Sequence, residues 1–353
     1  MTRTRLDRAG PIDWEQVLSR VVLVDDARRR ATVSARRAQE FLRLAPDELD
    51  RLTAAGLPGA NVGGELRYDF RDLYNVGLYA GFGTSQAEQA LQVMMRFASR
   101  PVEQLLTPRR WTVQIRGECA ACRDGGAPEG TWQVQQPDPF PGGGRLLSWQ
   151  VRPGLARPAP SAGATSPAGH LAREPRPPDL LVEGVVETIG VRRQIRSSRI
   201  LAEIERFSAL NLRWHLLTEE QWPDIERFHR LGVTDCVMAS LYLAERMTRL
   251  GIEAQTRCGW MTGIVNVSHG WLEVRDEDGA IKTVDLILPQ LAGLLAPGSG
   301  AYRQLASGSL INRVIRADCP ADQPLVTHRH GAGPVDVDLL TEVRPVLDRR
   351  EQS

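Results

Sequence analysis

Lysine is almost absent from this 353-residue chain: Lys282 is the single example, and arginine supplies the rest of the positive charge. The bias is typical of a bacterial genome rich in G and C and carries no chemical information. An excess of charge of one sign is also lacking, because 44 basic and 43 acidic residues leave a net charge of +1. Since nucleic acids and anionic membranes are usually bound by basic surfaces, we expect neither as a partner.

Long hydrophobic runs and frequent cysteines are missing as well. The first twelve residues contain no apolar signal-peptide core, and no later segment has 18 consecutive apolar residues. We therefore expect a cytoplasmic protein without a signal peptide or a membrane span. Five cysteines in so long a chain are too few for a disulfide framework, so they are expected to be free thiols.

Length and composition predict two domains joined by a linker. The chain is longer than a usual single domain, and its 42% hydrophobic content is enough to form real cores. Helical patterns dominate residues 1–152, which we expect to form a mainly helical N-terminal domain with a few short strands. Residues 153–178 are rich in Pro, Ala and Gly and are predicted to be a mobile linker. Residues 179–315 would form a second, catalytic domain, and residues 316–353 an irregular C-terminal tail.

A cysteine stands at the start of a predicted amphipathic helix. Cys236 follows Thr234 and Asp235, either of which could cap the helix, and apolar residues at spacings of three and four continue toward Gly251. A thiol in the first turn of a helix faces unpaired backbone amides and the positive end of the helix dipole, and both stabilise a thiolate. The alternative is a small buried apolar side chain, which is the commoner role of an isolated cysteine.

Two predicted strands follow the helix and carry a histidine and an aspartate. Residues 268–275 alternate in polarity and contain His269, and residues 280–288 contain Asp285. Taken singly, the histidine is more simply a buried core residue and the aspartate a carboxylate that caps a turn. Together with Cys236, however, they are the residue types of a nucleophile, a base that takes its proton, and a carboxylate that orients the base.

The turn between these strands decides whether the two side chains can meet. Because side chains alternate between the faces of a strand, a two-residue turn would put the histidine and the aspartate on opposite faces. A three-residue turn that ends in a left-handed Gly279 pairs Asp276 with Ala280 and sets the aspartate across from Trp271. The histidine is then a diagonal neighbour at about 7–8 Å along the backbone, a distance that the two side chains can span. We predict the three-residue turn.

Short motifs around these residues match a known pattern. Cys236 is followed by Gly-Ile-Glu-Ala at 251–254, Cys-Gly-Trp at 258–260, His-Gly-Trp-Leu-Glu-Val at 269–274 and Val-Asp-Leu at 284–286. This run, about a sixth of the chain, resembles the transglutaminase-like superfamily, where Gly-Ile-Pro-Ala, Ser-Gly-Tyr, His-Ala-Trp-Val-Glu-Val and a strand carrying Asp-Pro are found. It departs from the pattern at the second residue of the histidine motif, at the residue after the aspartate, and before the cysteine, where Gly-x-Cys is usual. None of these differences removes a catalytic group.

The resemblance implies an α+β fold with a papain-like, transglutaminase-type core, in which the cysteine helix packs on an antiparallel sheet. It implies an acyl-thioester on Cys236, with His269 as base and then acid and Asp285 as its orienting carboxylate. Independently of the resemblance, the sequence contains no Gly-rich phosphate loop, so we expect no cofactor. The oxyanion would be met by the cysteine backbone amide and a second donor, for which the upstream residues Trp222, Gln221 and Trp214 are candidates.

Three functions are compatible with this pattern. The leading hypothesis is transfer of a peptide- or carrier-protein-bound acyl group to an amine, giving an amide bond in natural-product metabolism. Transfer to water is the alternative, as in a cysteine peptidase or amidase that cleaves a leader peptide. A non-catalytic binding module on the same fold is the third.

One further motif indicates a different chemistry. Cys119 and Cys122 have the Cys-x-x-Cys spacing of zinc and redox sites, but no second pair follows at zinc-knuckle spacing. His328 and His330 could complete a metal site, yet they lie in the polar C-terminal segment, where we expect a solvated loop. The sequence is therefore interpreted as having no metal centre.

Overall fold

The computed structural model describes most of the chain. The residues outside the description are 1–11, 82–84, 120–121, 123–129, 154–178, 265–266, 297, 331–332, 336 and 347–353. The linker predicted at 153–178 therefore lies, apart from its first residue, outside the described residues. In the part of the chain that is described, no helix is long and apolar enough to cross a membrane.

Helices and strands are mixed along the chain, which is the expected α+β class. The α-helices are α1 (Trp14–Leu18), α2 (Ala35–Leu42), α3 (Pro46–Ala54), α4 (Phe70–Tyr79), α5 (Gln86–Met95), α6 (Val102–Leu106), α7 (Ser198–Ala209), α8 (Ile225–Arg230), α9 (Cys236–Arg249), α10 (Ile287–Leu295) and α11 (Gly300–Ala306). The strands are β1 (Ala31–Ser34), β2 (Gly59–Val62), β3 (Glu65–Asp69), β4 (Arg109–Glu118), β5 (Thr131–Val134), β6 (Gly144–Pro153), β7 (Leu180–Thr188), β8 (Arg213–Trp214), β9 (Val233–Thr234), β10 (Ala254–Met261), β11 (Ser268–Arg275), β12 (Ile281–Val284), β13 (Ser307–Gly308), β14 (Val314–Ala317), β15 (Val326–His330), β16 (Gly333–Pro334) and β17 (Asp338–Pro345). Short 3₁₀ helices lie at Asp26–Arg28, Arg96–Ser99 and Glu219–Gln221.

The chain divides into two compact units, each assembled from separate segments. The first contains Met1–Gln104, Arg192–Thr256 and Gly270–Ser309, and the second contains Leu105–Val191, Arg257–His269 and Leu310–Ser353. These are not the contiguous segments expected from composition. The reason is long-range strand pairing, because β17 pairs with β4 and β15 pairs with β5.

The first unit begins with helices packed around a small sheet. Strands β1 and β2 pair with opposite edges of β3, and apolar faces of the helices bury Leu42, Leu49 and Leu73 in one core. The N-terminus of α5 is capped by a side chain, since Ser85 Oγ accepts the backbone N–H of Glu88 at 3.2 Å and its hydroxyl donates to the Glu88 carboxylate. Later in this unit, β8 and β9 form a short parallel pair, and β12 lies between β11 and β13.

The hairpin of β11 and β12 has the predicted three-residue turn. Its register pairs Leu272 with Val284, and the backbone N–H of Asp276 donates to the carbonyl of Ala280 at 3.0 Å. Gly279 has a φ of +75°, the left-handed conformation that closes such a turn. The register prediction is therefore confirmed.

Strand β12 is shorter than predicted. It ends at Val284 rather than continuing to residue 288, and α10 begins three residues later. The cause lies in Asp285, whose Oδ1 accepts the backbone N–H groups of Ile287 at 3.0 Å and Leu288 at 3.1 Å. These hydrogen bonds satisfy amides in the first helical turn and so favour a helix over a longer strand.

The single lysine is buried next to the hairpin turn. Lys282 Nζ lies 2.5 Å from Asp276 Oδ2 and donates to the carbonyl of Gln194 at 2.6 Å. Asp276 also accepts the backbone N–H groups of Arg196 at 2.6 Å and Ser197 at 3.0 Å, just before α7. Burial acts to raise the pKa of Asp276, but these hydrogen bonds outweigh it and lower the pKa to about 2. The carboxylate therefore stays charged and ties the turn to the start of α7.

Lys282→Met tests how much the fold depends on this ion pair. The variant should lower the free energy of unfolding by about 3–5 kcal/mol, because Asp276 would remain buried without its cation. Glu253→Gln is the matched control, since it breaks an ion pair with Arg275 whose two side chains are 60% and 45% exposed, and it should cost less than about 1 kcal/mol. Urea unfolding followed by circular dichroism measures both losses. Equal losses in the free energy of unfolding would show that the buried ion pair stabilises the fold no more than the exposed one does.

The second unit is built on antiparallel sheets. One has the strand order β17–β4–β7–β6, in another β15 lies between β16 and β5, and β10 pairs with β14. The core of this unit contains Trp111, Ile115, Val182 and Trp260. The irregular tail expected over 316–353 is not found, because β15, β16 and β17 lie there. Their signal in the sequence is weak, since β17 is an edge strand with few buried side chains.

Candidate functional site

Helix α9 begins at Cys236, and the residue before it is the cap. Strand β9 leads into Asp235, whose Oδ1 accepts the backbone N–H of Met238 at 2.7 Å. This is the side-chain cap that the sequence allowed for Thr234 or Asp235. The thiol residue is partly exposed and lies in the first turn of a 14-residue helix, among backbone amides that lack partners within the helix.

The cap is itself held by a tryptophan. Trp222 Nε1 donates to Asp235 Oδ2 at 2.7 Å, so the indole N–H that we considered as an oxyanion donor is already engaged. Gln221 Oε1 accepts the backbone N–H of Thr218 at 2.8 Å. Both side chains thus shape the approach to α9. Burial raises the pKa of Asp235 to about 6, although its hydrogen bonds with Met238 and Trp222 act to lower it.

Asp235 should make the stability of the protein depend on pH. Its folded-state pKa of about 6 lies above the ordinary value of 3.8, so the folded state holds this proton more tightly than the unfolded state does. The free energy of unfolding should therefore fall as pH rises from about 4 to about 6, by up to about 3 kcal/mol from this group. Asp235→Asn should remove that part of the pH dependence. Urea midpoints of both proteins across this range measure the difference, and parallel curves would contradict the expectation.

His269 lies in the strand that the sequence predicted, whereas Asp285 lies one residue beyond the end of β12. His269 is the second residue of β11 and is 5% exposed. Alternation along the strand places it on the same face as Trp271. The β11–β12 register, continued by one residue, sets Asp285 across from Trp271. The carboxylate of Asp285 caps α10, so the turn-capping role that we weighed for this residue is present.

Two cysteines and two histidines from distant parts of the sequence come together in the second unit. They are Cys119, Cys122, His328 and His330, and their sulfur and ring-nitrogen atoms all lie within 4.8 Å of one another. The Nε2 atom of His330 lies 3.3 Å from Cys119 Sγ, 3.2 Å from Cys122 Sγ and 2.9 Å from the Nε2 atom of His328. The Nε2 atom of His328 lies 3.2 Å from Cys122 Sγ. The expectation of a solvated loop is wrong, because His328 is only 1% exposed.

Strand pairing brings these four residues together. Cys119 directly follows β4, and its backbone N–H donates to Asp179 Oδ2 at 2.7 Å. His328 and His330 lie two residues apart on β15, so both point to the same face of that strand. Strand β15 pairs with β5, where Trp132 stacks on His328 with ring centroids 4.1 Å apart. The His-x-His spacing within an apolar-polar alternation was the available signal, and we interpreted it as a loop.

The surroundings favour neutral forms of two members of this cluster. Burial, followed by the hydrogen bond and charge of Cys119, raises the pKa of the Cys122 thiol to about 11. Burial, followed by the neighbouring His330 ring, lowers the pKa of His328. A neutral imidazole offers a nitrogen lone pair, which is the form that binds a metal ion.

Comparison with known proteins adds little to these observations. No protein-family model matches the chain, and no curated protein matches it. A solved structure from Cytophaga hutchinsonii, provisionally described as a cysteine protease, is similar over 69% of this chain and 92% of its own, with 10% sequence identity and a TM-score of 0.34.

Proposed function

We propose that the protein is a cysteine-dependent enzyme with a transglutaminase-like, papain-type core, in which Cys236 forms an acyl-thioester. In this proposal His269 takes the thiol proton and later returns it, and Asp285 holds the imidazole in the required orientation. The observation that carries the proposal is the three-residue turn between β11 and β12. A turn shorter by one residue would place the aspartate on the opposite face of the hairpin, where its carboxylate could not reach the imidazole of His269.

The position of Cys236 supports its role as the nucleophile. Its side chain is partly exposed, and it lies in the first turn of α9, next to the backbone amides and the positive end of the helix dipole. The cap formed by Asp235 fixes where the helix begins. We propose the backbone N–H of Cys236 as one donor to the oxyanion that forms during acyl transfer.

The proposed reaction has two steps. In the first, Cys236 Sγ attacks the carbonyl carbon of an amide or thioester, and the bond to the leaving group breaks as His269 protonates that group. In the second, an amine attacks the thioester carbonyl and His269 accepts the proton of the amine. The C–S bond then breaks, and His269 returns that proton to the sulfur, which regenerates the thiol. With an amine as acceptor the product is an amide, consistent with a peptide or carrier-bound acyl substrate in natural-product metabolism. With water as acceptor the same residues hydrolyse the thioester.

Intact-protein mass spectrometry tests the acyl-enzyme directly. Incubation with p-nitrophenyl acetate should add one acetyl group to the wild-type protein and none to Cys236→Ala, because the variant lacks the attacking sulfur. Addition of glycinamide should discharge the adduct as N-acetylglycinamide if the enzyme transfers acyl groups, whereas release as acetate alone would indicate hydrolysis. Urea-unfolded wild type is the control for nonspecific acetylation. No adduct, or equal adducts on wild type and variant, would contradict the proposal.

Asp285→Asn separates the capping role from the proposed catalytic role. The amide oxygen of asparagine can still accept the two N–H groups of α10, so stability should change by less than about 1 kcal/mol. The rate of acylation should fall on the order of 10³–10⁴-fold, because a neutral amide does not hold the imidazole in the required tautomer. Asp285→Ala should lose stability as well as rate. Stopped-flow release of p-nitrophenolate measures the rate, and an asparagine variant with the wild-type rate would leave Asp285 as a cap alone.

A further inference from the structure

The donor atoms of Cys119, Cys122, His328 and His330 are gathered closely enough for small shifts, of a few tenths of an ångström for the shortest separations, to form a tetrahedral metal site. Zinc bonds of about 2.3 Å to sulfur and about 2.0–2.1 Å to nitrogen separate tetrahedral ligand atoms by roughly 3.3–3.8 Å. In the cluster the sulfur–nitrogen separations given above are 3.2 and 3.3 Å and the nitrogen–nitrogen separation is 2.9 Å. Two sulfurs and two imidazole nitrogens are also a donor set that zinc prefers.

Hydrogen bonds alone do not account for this arrangement. The Nε2 atom of a histidine carries either one proton or one lone pair, so it makes one strong hydrogen bond. In His330 this atom has three polar neighbours within 3.3 Å, which are Sγ of Cys119, Sγ of Cys122 and Nε2 of His328. A cation at the centre of the four atoms would satisfy all of them at once, since each would direct a lone pair to one point.

The shape of the cluster also indicates which kind of metal centre fits. All four atoms lie within 4.8 Å of one another, which suits one ion. In a two-iron cluster the ligands are divided between two metals and lie farther apart. Four protein ligands complete a tetrahedron and leave no position for a reactive water, the pattern of a structural zinc site rather than a catalytic one.

Two glycines lie so close to the rings of His328 and Trp132 that a side chain at either position would clash with them. A Cβ atom on Gly130 would lie 2.3 Å from Cε1 and 2.5 Å from Nε2 of His328, and 3.1 Å from Nε2 of His330. A Cβ atom on Gly117 would lie 2.7 Å from the ring of Trp132, the indole that stacks on His328. The absence of a side chain at both positions lets the backbone approach the rings closely.

We propose that these four residues bind one Zn²⁺ ion, which joins the end of β4 to β15. Cys119 and His330 are 211 positions apart in the sequence, so the ion would hold together the two distant segments from which this unit is built. Because the site would not exist in the unfolded chain, the free energy of zinc binding would contribute to folding. The role is structural and does not depend on acyl transfer by Cys236.

Metal analysis of the purified protein tests the proposal. After dialysis against metal-free buffer, the wild type should contain one zinc per chain by inductively coupled plasma mass spectrometry. Cys119→Ser and His330→Ala should each lose most of this zinc, because three ligands hold it less tightly. Cys236→Ala is the matched control, since it removes a cysteine outside the cluster and should retain the full amount. Zinc binding without an acyl adduct on Cys236 would support this proposal and contradict the proposed function. An acyl adduct without zinc binding would do the opposite.

Cobalt substitution gives a readout that does not depend on a variant folding. Wild type stripped by dipicolinate and titrated with Co²⁺ should develop the visible bands of tetrahedral cobalt and a thiolate-to-cobalt charge-transfer band, both saturating at one ion per chain. Chelation should also lower the melting temperature of wild type and Cys236→Ala by about 5 °C or more. Wild type that binds neither metal stoichiometrically, or Cys119→Ser with full zinc, would overturn the proposal.

Discussion

The buried ion pair between Lys282 and Asp276 fixes the part of the fold on which the candidate site depends. It joins the hairpin turn to the start of α7 through the Asp276 carboxylate, which accepts hydrogen bonds from the lysine and from two backbone amides. A slip of one residue between β11 and β12 would break this charged contact inside the protein and would move Asp285 to the other face of the hairpin. The only lysine in the chain therefore helps to determine which side chains can take part in chemistry.

The second unit relies on a different device to join distant segments. Its sheets pair strands from residues 105–191 with strands from residues 310–353. The cysteines of the Cys/His cluster follow the end of β4, and its histidines lie on β15. In the first unit a buried carboxylate and a lysine hold one turn in place, whereas in the second we infer that a metal ion holds β4 to β15. Both devices use a few charged or metal-binding atoms to specify one arrangement of a larger apolar core.

Local features of the candidate site were predictable from the sequence, and long-range pairings were not. The cap of α9 and the three-residue turn depend on Asp235 and Gly279, which are adjacent to the elements that they shape. The pairing of β15 with β5 depends on residues almost 200 positions apart, so the partner of the strand that carries His328 could not be identified from the sequence. The early end of β12 was not predicted, because the apolar residues after Asp285 are as compatible with a strand as with a helix. In the structure the Asp285 carboxylate accepts backbone N–H groups of the first turn of α10, which favours the helix.

The central proposal is that Cys236 acts as a nucleophile and that His269 is its base. The most direct test is the rate of alkylation of Cys236 by iodoacetamide at pH 6, followed by mass spectrometry of the peptide that contains it, in wild type, His269→Gln and urea-unfolded protein. The account predicts that folded wild type reacts several-fold faster than the unfolded chain and that His269→Gln loses this advantage. Equal rates in all three samples would contradict it.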